Sequence, residues 1–230
     1  MGYCSRSQAA VLIRAGRVTL NGRAVRDPET PVRIGPDRIG VDGSAIAEQT
    51  KIYLVMNKPR GVVTTASDEK GRETVYGLLP GGEWVGPVGR LDKASEGLLL
   101  LTNDSQWAAK ITDPASHLDK RYHVQVNCIA GDHLLEQLGR GVTLGSEDLH
   151  VKAVRVLRLG LKNSWLEITL DEGKNRQIRR LLEVSGVQVL RLVRVSVGTL
   201  ELGDLKKGGV RRLTEREKSS LDRALGRETK

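Results

Sequence analysis

The chain has 230 residues, with 37 Lys and Arg against 28 Asp and Glu, a formal net charge of +9. That length gives one large domain, or one large and one small, and a composition of 39% hydrophobic and 28% charged residues excludes a largely disordered chain. No apolar run approaches the roughly 18–20 residues of a membrane span. Arg6 and Arg14 interrupt the apolar stretch at the N-terminus, and Cys4 and Cys128 stand apart from each other and from any Cys or His cluster, so a cytoplasmic chain with two reduced thiols, no signal peptide and no structural metal is expected.

Residues 5–15 predict a short helix, capped by Ser5 or Ser7 and ended by Gly16. Val18–Val25 predicts a hairpin turning at Asn21-Gly22, and Arg38–Ile46 a second strand pair around Asp42-Gly43. A domain boundary is placed near residues 47–51, where the pattern weakens. Ile52–Asn57 then predicts a buried strand stopped by Lys58-Pro59, and Thr74–Leu79 a helical turn. Gly97–Leu101 forms a continuous apolar run of the kind found in a strand covered on both faces. Helices are predicted at Ser105–Thr112, Asp132–Leu138, Asn175–Ser185 and Thr214–Leu225. Strands are predicted at Arg121–Asn127, Val151–Leu159 and Trp165–Leu170, with β-rich material over Val187–Leu202. Strands and helices do not alternate regularly, so the fold class is α+β with a largely antiparallel sheet.

The positive charge is unevenly placed. Residues 1–26 hold Arg6, Arg14, Arg17, Arg23 and Arg26 and no acid. Residues 173–194 hold Lys174, Arg176, Arg179, Arg180, Arg191 and Arg194 against Glu183 alone. Such clusters are the electrostatic footprint of a phosphate-backbone partner, the competing reading being a solvated charged face. Aromatic residues make up only 3% of the chain, too few for a base-stacking platform.

Chemistry concentrates in three segments. In GRLDKASEGLLLLTND, Asp92 lies between two Gly-containing turns just before the buried strand. The residues leave open a carboxylate placed for catalysis, a cap of the Lys93–Ser95 turn, and a glycosidase-like pair with Glu96. The last lacks the aromatic platforms of a sugar cleft. In DEGKNRQIRRLLEVSG, basic residues recur at the start of an amphipathic helix, suited either to holding a carboxylate ionised or to facing solvent. In KRYHVQV, Tyr122 alternates with apolar residues as core residues do, and His123 points the other way. No P-loop, dinucleotide fingerprint or metal-ligand spacing is present.

GRLDKASEGLLLLTND, with N-K-P-x-G at Asn57–Gly61, K-x-Y-x-V at Lys120–Val124 and EGKNRQIRRLL at Glu172–Leu182, resembles ribosomal-RNA pseudouridine synthases of the RsuA/RluB/RluE/RluF group. The match spans about residues 52–213. Residues 5–46 resemble the small αL RNA-binding domain of a ribosomal small-subunit protein, which normally begins with one further helix ahead of the Ser5-Arg6 segment.

The resemblance implies an αL-type RNA-binding domain at 1–47, its first helix missing, and a pseudouridine synthase domain at 52–225 with a mainly antiparallel mixed sheet flanked by helices. It implies isomerisation of one uridine in ribosomal RNA without a cofactor or metal. The basic motif leans to large-subunit RNA; small-subunit RNA, or a noncatalytic role in ribosome assembly, is the alternative. By similarity Asp92 is the essential carboxylate, Arg179 its basic partner in a buried pair, and Tyr122 the tyrosine against the uracil. Arg6, Arg14, Arg17, Arg23, Lys58, Arg90, Lys174, Arg176 and Arg180 are expected to contact RNA. The expected partner is ribosomal RNA or a partly assembled subunit, met by a monomer and not by a membrane.

Overall fold

The computed structural model describes residues 3–33, 35–47, 49–66, 68–81 and 84–226. It opens with helix α1 (Arg6–Arg14). Ser5 caps it reciprocally: Gln8 N donates to the Ser5 hydroxyl at 3.2 Å, and Ser5 N donates to the Gln8 side chain at 3.0 Å. Strands β1 (Val18–Leu20), β2 (Arg23–Val25), β3 (Ile39–Val41) and β4 (Ser44–Ala45) follow, in the antiparallel order β2-β1-β3-β4. Both hairpins turn through two left-handed residues, Asn21-Gly22 (φ 52° and 82°) and Asp42-Gly43 (φ 51° and 81°), which is the backbone a two-residue turn requires. This unit has a thin core. Val18 and Val41 are its buried apolar side chains, and an apolar cavity of about 280 Å³ opens between Leu12, Ile13, Leu20 and Ile39.

The second unit is built on one nine-stranded sheet. Its strands are β5 (Tyr53–Lys58), β6 (Gly86–Val88), β7 (Glu96–Thr102), β8 (Lys120–Val126), β11 (Ala153–Leu159), β12 (Ser164–Leu170), β13 (Val189–Val197), β14 (Leu200–Glu201) and β15 (Val210–Arg212). They run β11-β12-β8-β13-β7-β5-β15, with β6 pairing β7 and β14 pairing β13. Every pairing between these strands is antiparallel except β13 with β7. A separate hairpin joins β9 (Val142–Leu144) to β10 (Glu147–Leu149). Four helices pack around the sheet: α2 (Ser105–Thr112), α3 (Asp132–Arg140), α4 (Gln177–Val184) and α5 (Glu215–Leu225).

Three apolar clusters hold the sheet. One joins Tyr122, Val124 and Ile168 to Leu134 and Leu138 of α3 and to Ile178, Leu181 and Leu182 of α4. Another seats Trp107 and Ile111 of α2 and Leu221 of α5 on Leu98 and Leu100. The third lies on the other face of β7, where Leu99 and Leu101 meet Met56, Val75 and Leu91. Strand β7 is therefore buried along its whole length, as its unbroken apolar run predicts.

Element identities follow the sequence closely; β11 starts at Ala153 and α3 runs on to Arg140, two residues from their expected ends. The hairpin β9–β10 and edge strand β15 were not anticipated. Helix α4 begins two residues later than predicted, because Arg176 is left-handed at φ 49° and acts as its N-cap.

Candidate active site

The loop between β6 and β7 carries Asp92, and its backbone is fixed from several directions. Ser95 N donates to Asp92 O at 2.9 Å, closing the turn, and Gly61 N donates to Lys93 O at 2.8 Å. The Thr64 hydroxyl donates to Leu91 O at 2.8 Å. Lys58 Nζ donates to Pro59 O and Asp92 O, both at 3.1 Å, and to Ser95 O at 2.8 Å. Below the loop, β7 and β13 approach so closely that a Cβ on Gly97 (φ +103°) would lie 2.2 Å from Arg194 O. Glycine at this position is a steric requirement of the sheet that carries the loop.

The turn is closed by the main-chain carbonyl of Asp92, and its carboxylate accepts no backbone hydrogen bond among the described residues. The carboxylate faces the start of α4, with Arg176 Nη1 3.7 Å from Oδ2 and 40% of the Asp92 side chain exposed. Gln177 anchors that end of α4: its amide donates to His150 O at 2.8 Å and to Glu172 at 2.6 Å, and its oxygen accepts from Lys174 N at 3.2 Å.

Arg179 departs from expectation. It makes no direct ion pair with Asp92, but donates through Nη2 to Ala94 O at 3.0 Å. Its Nε is buried without a partner, a donor whose burial costs about 1–3 kcal/mol while it stays unsatisfied. Burial lowers its proton affinity, the neighbouring Arg176 and Arg60 lower it further, and Asp92 opposes them. The pair expected to be buried is thus a half-open cluster, in which Arg176 is the nearer cation and Arg179 holds the turn.

Tyr122 lies on β8 between Ile168 and Arg194 and is 9% exposed, in the cluster that seats α4. No hydrogen bond or ion pair links it to Asp92 among the described residues. Glu96 belongs to a different chemistry. Its side chain is 3% exposed, with Arg191 at 3.1 Å and Lys207 at 2.6 Å. Burial works to raise its pKa, but hydrogen bonds from Arg191 and Lys207 outweigh this and hold the carboxyl below its ordinary range. Glu96 is thus engaged by Arg191 and Lys207, and no hydrogen bond links it to Asp92 among the described residues.

The residues expected at RNA divide sharply. Arg6, Arg14, Arg23 and Arg90 are exposed and carry no side-chain partner among the described residues. Lys58 contradicts its expected role: it is 0% exposed and cannot reach a phosphate. Burial pushes its pKa down to about 8, against the pull of Asp92 and Glu96. Lys174 is bound to Glu172 at 2.9 Å, Arg180 to Glu147 at 2.8 Å, and Arg17 to Asp42 at 2.5 Å. Arg60 was not singled out from the sequence, although it occupies the variable position of N-K-P-x-G. It is exposed and donates to Leu190 O at 3.3 Å.

The α+β domain thus presents the Asp92 carboxylate on a clamped loop beside Arg176 and Arg179, and a small basic unit precedes it. Comparison with known proteins gives the family. Residues 52–184 match RNA pseudouridylate synthase, and residues 1–37 match the S4 domain. The ribosomal large subunit pseudouridine synthase B of Bacillus subtilis (strain 168) is 37% identical over 227 residues, covering 97% of this chain and 92% of that protein. An uncharacterized RNA pseudouridine synthase of Aquifex aeolicus (strain VF5) is also 37% identical, covering 98% of this chain and 91% of that protein. A crystal structure of a pseudouridylate synthase superposes with a TM-score of 0.67 at 28% identity, covering 94% of each chain. The chain belongs to the RNA pseudouridylate synthase family and carries an S4 domain at its N-terminus.

Proposed function

We propose that this protein isomerises one uridine of large-subunit ribosomal RNA to pseudouridine, acting as a cytoplasmic monomer on free RNA or a partly assembled subunit. Residues 1–47 serve as the RNA-binding domain and residues 52–225 as the catalytic domain. The observation that carries the reading is Asp92: its carbonyl is held by Lys58 and Ser95 and the next carbonyl, of Lys93, by Gly61, while its carboxylate is left for a ligand beside Arg176. The name of the Bacillus subtilis relative supports the choice of subunit.

The reaction is an isomerisation. The C–N bond between ribose and uracil breaks, the base turns, a C–C bond forms at ring carbon 5, and the proton displaced there is balanced by one gained at nitrogen. Asp92 acts on the ribose anomeric carbon or on the base. Arg176 stands beside the carboxylate, Arg179 holds its loop in place through Ala94 O, and Tyr122 flanks the uracil. A uridine within a stem must be flipped out to reach Asp92, at a cost of a few kcal/mol that phosphate contacts offset.

The test is a pseudouridine map of ribosomal RNA from cells lacking the gene and from cells in which it is restored. One large-subunit site should disappear and return. Loss of a small-subunit site would correct the subunit. An unchanged map, with RNA binding intact, would leave a noncatalytic assembly factor.

A further inference from the structure

We propose that Arg60, Arg176 and Arg179 form one cradle for a single phosphodiester group of the RNA, next to the nucleotide presented to Asp92. The proposal deepens the reading of Asp92 as the catalytic carboxylate and rests on it. Arg176 and Arg179 meet the turn at residues 92–95, and the chain on both sides of Arg60 is tied to that turn while Arg60 Nη1 donates to Leu190 O at 3.3 Å. Arg176 faces the Asp92 carboxylate at 3.7 Å, Arg179 donates to Ala94 O, and Arg60 lies close enough to Arg179 to disfavour its charge. Asp92 supplies one negative charge against three guanidinium groups. Arg179 Nε is a buried donor with no acceptor. A cluster short of one anion and one acceptor fits a phosphodiester, which brings a single charge and two free oxygens to the planar fork of arginine.

The position of Arg60 is built in advance. Its chain neighbours are tied to the Asp92 loop on both sides, Pro59 through the ammonium of Lys58 and Gly61 through its bond to Lys93 O. Gly61 has φ +98°, so the backbone turns directly after the arginine. A phosphate held by Arg60 is thereby held in register with Asp92.

The experiment compares wild type with Arg60→Gln, Arg60→Lys and, as a control, Arg223→Gln on α5. The RNA is a transcript of the ribosomal segment recovered by affinity with the wild-type protein. Arg60→Gln should weaken binding roughly tenfold and flatten the log–log salt dependence by up to about 0.7–0.9, the value for one whole phosphate contact. Arg60→Lys should keep the slope and lose part of the affinity, and Arg223→Gln should match wild type. Where the transcript is isomerised, neutral methylphosphonates are placed one at a time within two linkages of the target uridine. One of them should cost the wild-type enzyme roughly tenfold and Arg60→Gln distinctly less, the remainder being the share of Arg176 and Arg179.

Wild-type affinity and slope in Arg60→Gln would overturn the cradle. So would equal losses in both proteins at every methylphosphonate. If the slope falls but no uridine is isomerised, the cradle stands as an RNA contact and the catalytic reading fails.

Discussion

Residues 1–26 and residues 173–194 are the two arginine-rich stretches of the chain, and the fold treats them differently. In the first, Arg6, Arg14 and Arg23 are exposed and unpaired among the described residues; Arg17 alone is held by a carboxylate, that of Asp42. In the second, Lys174, Arg180 and Arg191 are held by Glu172, Glu147 and Glu96, and Arg194 is buried with its Nε on Leu98 O. Arg176 and Arg179 remain, at the Asp92 loop. The acids that neutralise the second stretch come mostly from other elements, so a local count of charge overstates its free surface. What looks like one long basic face is a pair of arginines beside Asp92 flanked by cations already paired within the protein.

Changes at the internal cations should act on stability, and changes at the exposed ones on RNA. The largest effect is expected at Lys58, the most deeply internal of them. Lys58→Met removes the ammonium shared by the carbonyls of Pro59, Asp92 and Ser95 and should cost on the order of 3–5 kcal/mol in denaturant unfolding. A loss below about 1 kcal/mol would break the comparison. Its pH dependence has a definite sign. The folded pKa of about 8 lies below the ordinary 10.5, so between these values the unfolded chain binds more protons than the folded one, and the Lys58 contribution to stability rises with pH. Below pH 8 both states are charged and the contribution is flat. Unfolding free energies of wild type and Lys58→Met across this range should converge on neither side but diverge upward with pH for the wild type.

Glu96→Gln should come next, at about 2–3 kcal/mol. A buried carboxylate is lost, but its partners Arg191 and Lys207 keep 41% and 56% of their side chains exposed and recover hydration. Arg14→Ala combined with Arg23→Ala should leave stability within about 0.5 kcal/mol and flatten the salt slope of RNA binding by up to about 0.7–0.9 per phosphate lost. An unchanged slope would remove the N-terminal arginines from the RNA surface. The smallest effect is expected for Arg180→Ala. Its pair with Glu147 is partly exposed at both ends, so stability should fall by less than about 1 kcal/mol and the RNA salt slope should hold. A slope lost there instead would show that the second stretch also meets phosphate.

Local features were legible in the sequence. Asn21-Gly22 and Asp42-Gly43 mark their hairpins because few residues other than Asn, Asp and Gly adopt the left-handed turn cheaply. The alternation of Tyr122, Val124 and Val126 reports the buried face of β8, and the apolar run of β7 reports a strand covered on both sides. The strands that escaped notice, in β9–β10 and β15, have three residues each, too few to establish a period. The prominence of Asp92 was also legible, through its motif.

Its surroundings were less so. Lys58 reads as a surface cation because the carbonyls that bury it at Asp92 and Ser95 lie 34 and 37 residues further along. Arg176 and Arg179 stand three residues apart at the start of one helix, and periodicity does not choose which meets the carboxylate. The choice is made by the left-handed backbone of Arg176 and by the Ala94 carbonyl that engages Arg179.

The central claim is that Asp92 carries the chemistry while the arginines carry the RNA. Asp92→Asn tests it most directly, since the amide keeps the shape of the side chain but is neither a nucleophile nor a base. Affinity for ribosomal RNA and release of tritium from ring carbon 5 of labelled uridine should be measured on the same preparation. Affinity should stay within a few-fold of wild type, with no tritium release above background. Tritium release near the wild-type rate with the amide in place would contradict it.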